Sequence, residues 1–494
     1  MPTTGDQLDY GTSRGRWVIA ASVLGSGIAT LDATVVGIAL PAISRAFGSG
    51  VGTLQWVVTG YSLTLAAFLL LGGSLGDRFG RRKVFSVGVV WFALASACCG
   101  LAPDAGVLII ARVLQGVGGA LLTPASLAIL QASFRPADRP RAIGAWSGLG
   151  GLASAAGPLI GGYLIAAGSW RFVFFINVPI SIVVLAVAAR HVPETRDPTV
   201  SGRVDSVGAA VAVIFLTGLT YGLIEGPTEG WSSTAVLVAL AGAAVATPLF
   251  VLTERARRAP MLPLGMFRSR QFSAANAVTF VVYGALAGTL FLLPVELQLV
   301  RRYSALSSGL ALLPVTAIML VFSARSGRLA ARIGPRWQMS AGPVVVGAGL
   351  VALTRATHAG SYVTSVLPAV VVFGAGLALT VAPLTSTAMG AAPPERAGVA
   401  SGVNNVVARA AGLLAVAVLP LLAGLTGTAG LRPQDFAAGF RTAVLIAGVT
   451  CAAGGLLAAA TIRNPPGVAH PHGRRWHCAV DGSPLQAAGP VGTT

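Results

Sequence analysis

The chain has 494 residues, of which 54% are hydrophobic and 10% are charged, and its formal net charge is +18. Soluble globular proteins carry about 25% charged residues, so this composition excludes a soluble domain and predicts an integral membrane protein. The four cysteines do not suggest the disulfide framework of a small secreted domain.

Apolar runs separated by charged or Pro/Gly-rich loops predict fourteen membrane-spanning helices. The predicted spans are residues 17–40, 53–75, 84–101, 106–131, 141–167, 172–189, 205–224, 234–252, 272–294, 306–324, 338–354, 362–384, 398–422 and 442–461. The first run is too long for the apolar region of a signal peptide and has no clear cleavage site. We therefore expect it to be retained as the first span.

The basic residues predict how these spans are oriented. If the N-terminus is cytoplasmic, 25 of the 34 basic residues lie on the cytoplasmic side and 7 lie outside, while Arg112 and Arg409 lie within spans. Cytoplasmic loops carry the excess of basic residues, so we expect both termini in the cytoplasm, with the protein in a bacterial cytoplasmic (plasma) membrane. The positive charge then reflects topology and contact with anionic lipid, and no nucleic-acid partner is expected.

One loop sequence occurs twice, which predicts two related halves. GGSLGDRFGRR (72–82) and SGRLAARIGPR (326–336) share five identities at a constant spacing of 254 residues, although Ala331 replaces Asp77. Such repeats are typical of transporters that rock two bundles around a central site, and the alternative is a chance match between basic loops. The predicted organisation is a cytoplasmic N-terminus (1–16), a six-helix bundle (17–190), a linker with inserted helices seven and eight (191–260), a second six-helix bundle (261–462) and a disordered cytoplasmic tail (463–494).

Several motifs resemble those of one transporter family. GSLGDRFGRRK (73–83), RVLQGVGGA (112–120) and GPLIGG (157–162) are similar to the loop, fourth-span and antiporter motifs of the major facilitator superfamily. LDATVVGIALP (31–41) resembles the first-span motif of its fourteen-span drug/proton antiporters, the EmrB/QacA-like family, and further similarity lies in WRFVFFINVP (170–179), GRVDSVG (202–208) and AGVASGVNN (397–405).

This resemblance implies an all-α integral membrane protein with the major facilitator fold. Its fourteen transmembrane helices would form two six-helix bundles plus two inserted helices, and we expect it to function as a monomer. The sequence departs from the family pattern at Gly37, Phe172 and Ala153, where asparagine, tryptophan and glycine are usual. We expect Gly37 to alter substrate contacts, and the other two changes to be variations in packing.

Asp32 is a charged residue inside the apolar first span. It shares one helical face with Ser22, Gly25 and Ala29, since steps of three and four residues return to the same side. Small residues on that face indicate a bundle interior or a wet cavity, where a charge marks a functional site by default. Such a carboxylate can bind a proton and a cationic substrate in turn; the alternative is a structural carboxylate paired with an arginine.

Arg112 lies within the fourth span and stays charged at any relevant pH, so it cannot itself carry the proton. The resemblance implies that it takes part in proton coupling with Asp32. The alternative is a snorkelling or paired structural arginine.

The loop after the second span carries Asp77, Arg78, Arg81 and Arg82. A carboxylate at this place can cap a neighbouring helix and pair with arginine. The resemblance implies that this loop is a conformational latch that holds the outward-facing state, and the alternative is a solvated run of charges.

The fifth span is rich in small residues, which let another helix approach closely. One face carries Gly144, Gly148, Gly151, Ala155, Pro158 and Gly162, and the adjacent face carries Gly150, Ser154, Gly157 and Gly161. The resemblance implies that Gly157, Pro158, Gly161 and Gly162 form an antiporter hinge, and ordinary tight packing is a compatible alternative.

Five further polar residues are candidates for the cavity or its vestibule: Glu225, Glu296, Asn404, Asn405 and Arg409. Glu296 is close in sequence to Arg301 and Arg302, so an ion pair at the rim is at least as strong an interpretation. The asparagines could equally form hydrogen bonds between helices. The tail sequence HPHGRRWHC (470–478) could suggest a metal site, but its composition and terminal position favour a disordered tail without a metal.

The only lysine, Lys83, is not part of a nucleotide-binding P-loop, and no catalytic constellation stands out. We therefore expect no enzyme activity and no cofactor. The sequence favours a proton-coupled multidrug efflux antiporter that exports amphipathic, often cationic compounds by alternating access, with small molecules, protons and membrane lipid as partners. Two alternatives stay open: a dedicated exporter of one metabolite or antibiotic, and a non-transporting or lipid-handling membrane protein.

Overall fold

The computed structural model describes residues 8–196, 206–257, 262–357, 360–392 and 397–464. These residues form seventeen α-helices and contain no β-strand. The helices are α1 (Ser13–Phe47), α2 (Val51–Phe79), α3 (Arg81–Leu101), α4 (Ala105–Ser133), α5 (Arg139–Ala166), α6 (Phe172–Phe175), α7 (Asn177–His191), α8 (Ser206–Glu229), α9 (Thr234–Ala256), α10 (Arg270–Leu299), α11 (Ala305–Ala311), α12 (Leu313–Ile333), α13 (Arg336–Ala352), α14 (Tyr362–Ser365), α15 (Leu367–Gly390), α16 (Ala397–Leu422) and α17 (Pro433–Thr461).

The predicted number of spans is confirmed. Within the described residues, thirteen helical segments are long and apolar enough to cross a membrane, and α2 makes a fourteenth if its two parts, which are bent by 50°, count as one span. The pairs α6–α7 and α11–α12 each form one span. Pro179 and Pro314 lie in the first turn of α7 and α12, where proline is tolerated and where it interrupts the preceding helix.

Most helices extend beyond the predicted spans. The first span, predicted as 17–40, is the helix Ser13–Phe47, and the last, predicted as 442–461, begins at Pro433. Hydropathy identifies only the residues at hydrocarbon depth, whereas a helix continues into water wherever polar residues and caps support it. Pro41 lies inside α1 without ending it.

The helices form two six-span bundles with α8 and α9 as an additional pair. In the first bundle α4 packs against α2 and α3, and α1 packs against α5. In the second, α13 packs against α15 and α17, while α10 packs against α16 and α17. Helices α8 and α9 pack against each other, and α8 also contacts α2 and α16.

The repeated loop adopts the same local structure in both bundles. Gly80 follows α2 with φ 110°, and Gly334 follows α12 with φ 87°, a region that favours glycine. Glu194 accepts hydrogen bonds from the backbone N–H groups of Arg82 (3.0 Å) and Lys83 (3.1 Å) at the start of α3. In the second bundle, Asn464 accepts a hydrogen bond of 3.0 Å from the backbone N–H of Arg336.

These caps explain why both loops contain a glycine. A Cβ atom on Gly80 would come within 2.7 Å of the Glu194 carboxylate, and one on Gly334 would clash with Asn464. In each bundle, a side chain that follows the last helix, Glu194 or Asn464, therefore caps the start of the third span. This side chain occupies the space that a Cβ atom on the glycine would fill. The structure thus gives the sequence repeat a shared physical role.

Side-chain hydrogen bonds join the two bundles near one end of the molecule. We call the end where α1 begins and α17 ends the terminal face, and the opposite end the distal face. Near the distal face, Gln298 of α10 donates a hydrogen bond of 3.0 Å to the Ile38 carbonyl of α1. Gln55 of α2 donates one of 2.8 Å to the Val416 carbonyl of α16. The bundles are therefore joined on the distal side.

Candidate functional site: a buried ion pair and the contact between bundles

Asp32 lies in the interior of the first bundle, with 1% of its surface exposed. One carboxylate oxygen accepts a hydrogen bond from the Arg112 guanidinium of α4. The other accepts hydrogen bonds from the Gln115 amide (2.9 Å) and from the Asn177 amide of α7 (3.0 Å). Charge-assisted bonds of this kind are roughly twice as strong as neutral ones, so Asp32 links three helices.

Arg112 is also held by groups other than Asp32. Its Nε donates a hydrogen bond of 2.9 Å to the Val57 carbonyl of α2, and its guanidinium also bonds the Gln115 side-chain oxygen at 2.6 Å. The guanidinium carbon lies 4.4 Å from the centre of the Tyr61 ring and 5.8 Å from that of Phe174. Several partners therefore hold the guanidinium in place, and only Asp32 can change its charge by taking up a proton.

Ser96 of α3 completes the network, because its hydroxyl accepts hydrogen bonds from Gln115 (3.2 Å) and Asn177 (3.0 Å). Asp32 and Arg112 were both predicted from the sequence, whereas Gln115, Asn177 and Ser96 were not. Gln115 and Asn177 lie within the motifs RVLQGVGGA and WRFVFFINVP, where the glycines and aromatic residues dominate the pattern. Their position in the membrane interior was the signal that could have identified them.

The small residues beside Asp32 face the first bundle and not the space between the bundles. A Cβ atom on Gly25 would overlap the Phe85 ring of α3, and the Tyr61 hydroxyl donates a hydrogen bond of 3.1 Å to the Ala29 carbonyl. The predicted bundle interior is thus the environment found. In this conformation the enclosed carboxylate of Asp32 offers no surface to a substrate.

Helix α5 packs tightly against α1 directly beside Asp32. A Cβ atom on Gly157 would overlap the Thr34 side chain, and one on Gly161 would lie 3.0 Å from Val35. Thr34 and Val35 are the second and third residues after Asp32. Two glycines of the predicted hinge therefore permit the close contact between α1 and α5.

The same part of α5 also contacts the second bundle. A Cβ atom on Gly162 would lie 2.7 Å from the Ala305 carbonyl of α11. In return, a Cβ atom on Gly309 of α11 would overlap the backbone of Pro158. The hinge residues therefore join the helix beside Asp32 to the opposite bundle.

Part of the predicted close packing of α5 is wrong for this conformation. Added Cβ atoms on Gly144, Gly148, Gly150 and Gly151 would meet no atom within 4 Å. These residues occupy the half of α5 nearer the terminal face. Because the bundles are joined on the distal side, these four glycines have no close neighbour among the described residues.

The predicted latch residues bond within the first bundle. Asp77 and Arg81 form an ion pair of 2.8 Å at a spacing of one helical turn. Arg82 lies 3.7 Å from Glu194, and the Arg78 guanidinium lies over the Phe79 ring at 5.3 Å. Asp77 does not cap a helix here, since the acid that caps α3 is Glu194, which was not singled out from the sequence. The latch itself stays a prediction.

The predicted rim ion pair of Glu296 is wrong. Glu296 is 0% exposed, and within the described residues neither carboxylate oxygen has a hydrogen-bond partner. Arg301 instead donates to the Ser365 hydroxyl at 2.7 Å and to the Ala356 carbonyl at 2.9 Å. Glu296 lies within α10 and is turned into the protein, whereas Arg301 follows the helix and reaches the loop beyond α13.

Glu225 is bound between the first bundle and the inserted helices. It accepts a hydrogen bond of 2.6 Å from the Trp56 indole of α2, and its second oxygen accepts one of 3.0 Å from Thr228. Both bonds lie near the distal end of α8. Glu225 therefore links α8 to α2, and a role in a vestibule stays a prediction.

The polar residues of α16 have three different environments. Asn404 is buried and donates hydrogen bonds to Thr279 (2.8 Å) and Asn276 (3.2 Å) of α10, as one of the two sequence interpretations expected. Asn405 is exposed and bonds only the Ser401 carbonyl. The Nε of Arg409 is buried and has no partner among the described residues. The tail sequence 470–478 lies outside the described residues.

Comparison with known proteins identifies the family. A model described as the Major Facilitator Superfamily matches residues 22–416. The chain belongs to the major facilitator superfamily. It is therefore a multi-pass membrane protein of a superfamily whose members transport small molecules, and the predicted fold class and family are confirmed.

Named relatives of this superfamily member include drug-resistance proteins. The chain is 37% identical over 417 residues to the multidrug resistance protein Stp of Mycobacterium tuberculosis (strain CDC 1551 / Oshkosh), covering 84% of this chain and 77% of that one. It is also 37% identical to the tetracenomycin C resistance and export protein of Streptomyces glaucescens, with 83% and 76% covered. Identity to the methylenomycin A resistance protein of Streptomyces coelicolor is 34%, with 90% and 92% covered.

Solved structures of transporters support the fold. A bacterial homologue of the human lysosomal transporter Spinster, inward-facing and unoccupied, matches with a TM-score of 0.64 at 18% identity, covering 92% of this chain and 98% of that one. The inward-open xylose transporter XylE from E. coli matches with a TM-score of 0.61 at 14% identity, covering 91% and 97%. At these identities the likeness concerns the fold alone.

Proposed function

We propose that this superfamily member is a proton-coupled efflux antiporter that exports amphipathic drugs across the bacterial cytoplasmic membrane. Relatives that are 34–37% identical are named for multidrug resistance or for resistance to a single antibiotic. The observation that carries the coupling is the enclosed pair of Asp32 and Arg112, located two residues from the contact between α1 and α5. Neither enzyme activity nor a cofactor is part of the proposal.

The proposed orientation has both termini in the cytoplasm, which the excess of arginine in the corresponding loops supports. The terminal face is then cytoplasmic and the distal face is external. The bonds from Gln298 to Ile38 and from Gln55 to Val416 close the external side. In this orientation the conformation is inward-facing.

The proton step takes place at Asp32. A deprotonated carboxylate pairs with Arg112, which is the arrangement in the present conformation. When the bundles open to the outside, Asp32 takes up a proton, its charge is lost, and the ion pair becomes an ordinary hydrogen bond. Return to the inward-facing state restores the pair and releases the proton to the cytoplasm, so each inward proton accompanies one outward movement of substrate.

A continuous set of contacts links this step to the bundle interface. Protonation of Asp32 weakens the connection between α1 and α4. Thr34 and Val35 transmit a shift of α1 to Gly157 and Gly161 of α5. Pro158 and Gly162 then pass it to α11 of the second bundle. A close-packed path of this kind is a physical route for coupling, and mutation along it tests whether energy passes through it.

The substrate is proposed to bind between the bundles and not directly on Asp32. The sequence favoured a carboxylate that binds proton and cationic substrate in turn, but the Asp32 side chain is enclosed by Arg112, Gln115 and Asn177. Gly37 was expected to alter substrate contacts. In the structure, a Cβ atom on Gly37 would lie 3.9 Å from the Leu290 carbonyl of α10. We infer that coupling acts through conformation and that Gly37 affects closure of the bundles.

Transport into inside-out membrane vesicles tests this function, with ethidium as the probe. Collapse of the pH gradient with nigericin should stop uptake, whereas collapse of the potential with valinomycin and potassium reports whether the exchange is electrogenic. The variant D32N should lose uptake. The matched variant D104N should keep it, because Asp104 is an exposed helix cap and asparagine also caps helices well. Ethidium uptake that survives loss of both the pH gradient and the potential would exclude proton coupling.

A second candidate is a dedicated exporter of one antibiotic, since two relatives are named for tetracenomycin C and methylenomycin A. Competition against ethidium uptake by a panel of unrelated amphipathic compounds separates the two functions. Inhibition by many compounds supports multidrug efflux, and inhibition by one chemical class supports the dedicated exporter. Uptake of none of them, together with no proton flux, would favour a non-transporting membrane protein.

A further inference from the structure

The terminal face of the second bundle contains a cleft of about 1460 Å³ that the proposed transport path does not use. It lies between the ends of α10, α12, α15 and α17. Three arginines, Arg270, Arg332 and Arg463, contribute to its lining, and none of the lining residues that the structure describes is acidic. The small and apolar lining residues include Gly327, Ala330, Ile333, Gly390 and Ala391. The cleft thus combines positive charge with apolar walls.

The charges of these arginines are not neutralised by the described residues. Arg332 makes no hydrogen bond and no ion pair there, and Arg270 donates only to the Ala460 carbonyl, at 3.1 Å. Arg463 uses its backbone to bond Gln271, which leaves its guanidinium available to a ligand. Because arginine is always charged and binds phosphate through two parallel hydrogen bonds, the cleft suits a phosphate-bearing ligand.

Comparison of the two repeated loops shows that only the loop of the second bundle has no acid of its own. In the first loop, Asp77 and Arg81 form an ion pair of 2.8 Å. At a spacing of 254 residues, the corresponding positions are Ala331 and Pro335, while Arg78 corresponds to Arg332. The second loop therefore keeps the arginine and lacks the acid, so an external anion has no competing carboxylate in the loop.

We propose that this cleft binds the headgroup of an anionic phospholipid, with the phosphate on the arginines and the glycerol and first acyl carbons along the apolar walls. A lipid fits better than a soluble anion because the cleft lies at the ends of four membrane spans and has apolar walls. The chain's own tail is a poor occupant because residues 465–494 contain two arginines and a single acid, Asp481. The inference does not depend on proton coupling.

The magnitude of the effect follows from the charge. A basic residue near an anionic surface contributes on the order of 1 kcal/mol, which corresponds to about fivefold in affinity for each arginine removed. R332Q should therefore bind phosphatidylglycerol about fivefold more weakly than the wild type, and the double variant R270Q/R332Q about 25-fold more weakly. R332K, which keeps the charge, should lose less than R332Q.

The test is a titration of the purified full-length chain with phosphatidylglycerol in neutral detergent, with bound lipid counted by native mass spectrometry. The matched control is R328Q, since Arg328 is exposed on the same helix but does not line the cleft. Weaker binding in R332Q and R270Q, with R328Q equal to the wild type, supports the site. A parallel titration with phosphatidylcholine should show no sensitivity to R332Q.

Three results would overturn the proposal. Equal phosphatidylglycerol binding by R332Q, R328Q and the wild type would remove the site. Binding of inorganic phosphate to the cleft, without any arginine-dependent binding of lipid, would assign the cleft to a soluble anion. Equal loss with phosphatidylcholine would show that the substitution acts on the fold. If R332Q does not purify in a folded state, R270Q alone gives the same readout, because Arg270 is exposed at the start of α10.

Discussion

Asp32 and Arg112 form an ion pair that is closed to solvent, with 0% and 1% of their side chains exposed. Loss of one partner from such a pair leaves an uncompensated buried charge, which costs about 3–5 kcal/mol. R112Q should therefore lower the free energy of unfolding in detergent by about that amount, because it leaves the Asp32 carboxylate with only Gln115 and Asn177 as partners.

The double variant D32N/R112Q tests the interaction between the two side chains. We expect it to lose less stability than the sum of D32N and R112Q, because it leaves neither charge unpaired. Thermal unfolding of the four proteins gives the coupling energy, with D104N as a control that should match the wild type. Strictly additive losses would contradict a direct interaction between the two side chains.

Gly157 should be far less tolerant of substitution than Gly148, although both lie on α5. An added Cβ atom at Gly157 would overlap Thr34, whereas one at Gly148 would meet no atom within 4 Å. G157A should therefore destabilise the protein by about 1–3 kcal/mol through overpacking. G148A should be neutral or stabilising, since alanine is favoured over glycine in a helix by about 1 kcal/mol. Melting temperatures of the two variants test this difference, and equal values would contradict the tight contact between α1 and α5.

Much of the fold could be predicted from the sequence because the membrane imposes it. Spans must be helical and about 20 residues long, so hydropathy predicts their number, and the repeated loop predicts two halves. The exact ends of α1 and α17 could not be predicted in this way, because their first and last turns lie in water and depend on caps. The breaks between α6 and α7 and between α11 and α12 escaped detection because their prolines interrupt runs that are apolar throughout.

The candidate site was only partly predictable. Asp32 and Arg112 stand out because a charge in an apolar span is rare. Their partners Gln115, Asn177 and Ser96 are uncharged, and which of many polar residues meet in space depends on how the helices rotate about their axes. The same limit explains the error at Glu296. Its neighbours in sequence, Arg301 and Arg302, suggested an ion pair, but Arg301 bonds Ser365 instead.

Replacement of Glu296 by leucine should stabilise the protein. Both carboxylate oxygens are buried without a hydrogen-bond partner among the described residues, and an unsatisfied buried polar group costs about 1–3 kcal/mol. E296L should raise the free energy of unfolding by a similar amount, measured in detergent by chemical or thermal unfolding. Glu225→Leu is the matched comparison and should be destabilising, because Glu225 bonds Trp56 at 2.6 Å. A loss of stability in E296L would indicate that Glu296 has a partner, such as a buried water.

Substitution of Gly148 by a larger residue should reduce transport without lowering the melting temperature. In the proposed cycle the bundles close on the terminal side when they open on the distal side, and the open face of α5 at Gly144, Gly148 and Gly151 then becomes buried. A side chain at Gly148 would be harmless in the present conformation and would obstruct that closure. G148L should therefore keep its melting temperature while ethidium uptake falls by at least tenfold, and G148A should show a smaller decrease because its side chain is shorter. Wild-type uptake by G148L would contradict closure at this face, and a lowered melting temperature would show that the leucine already clashes in the inward-facing state.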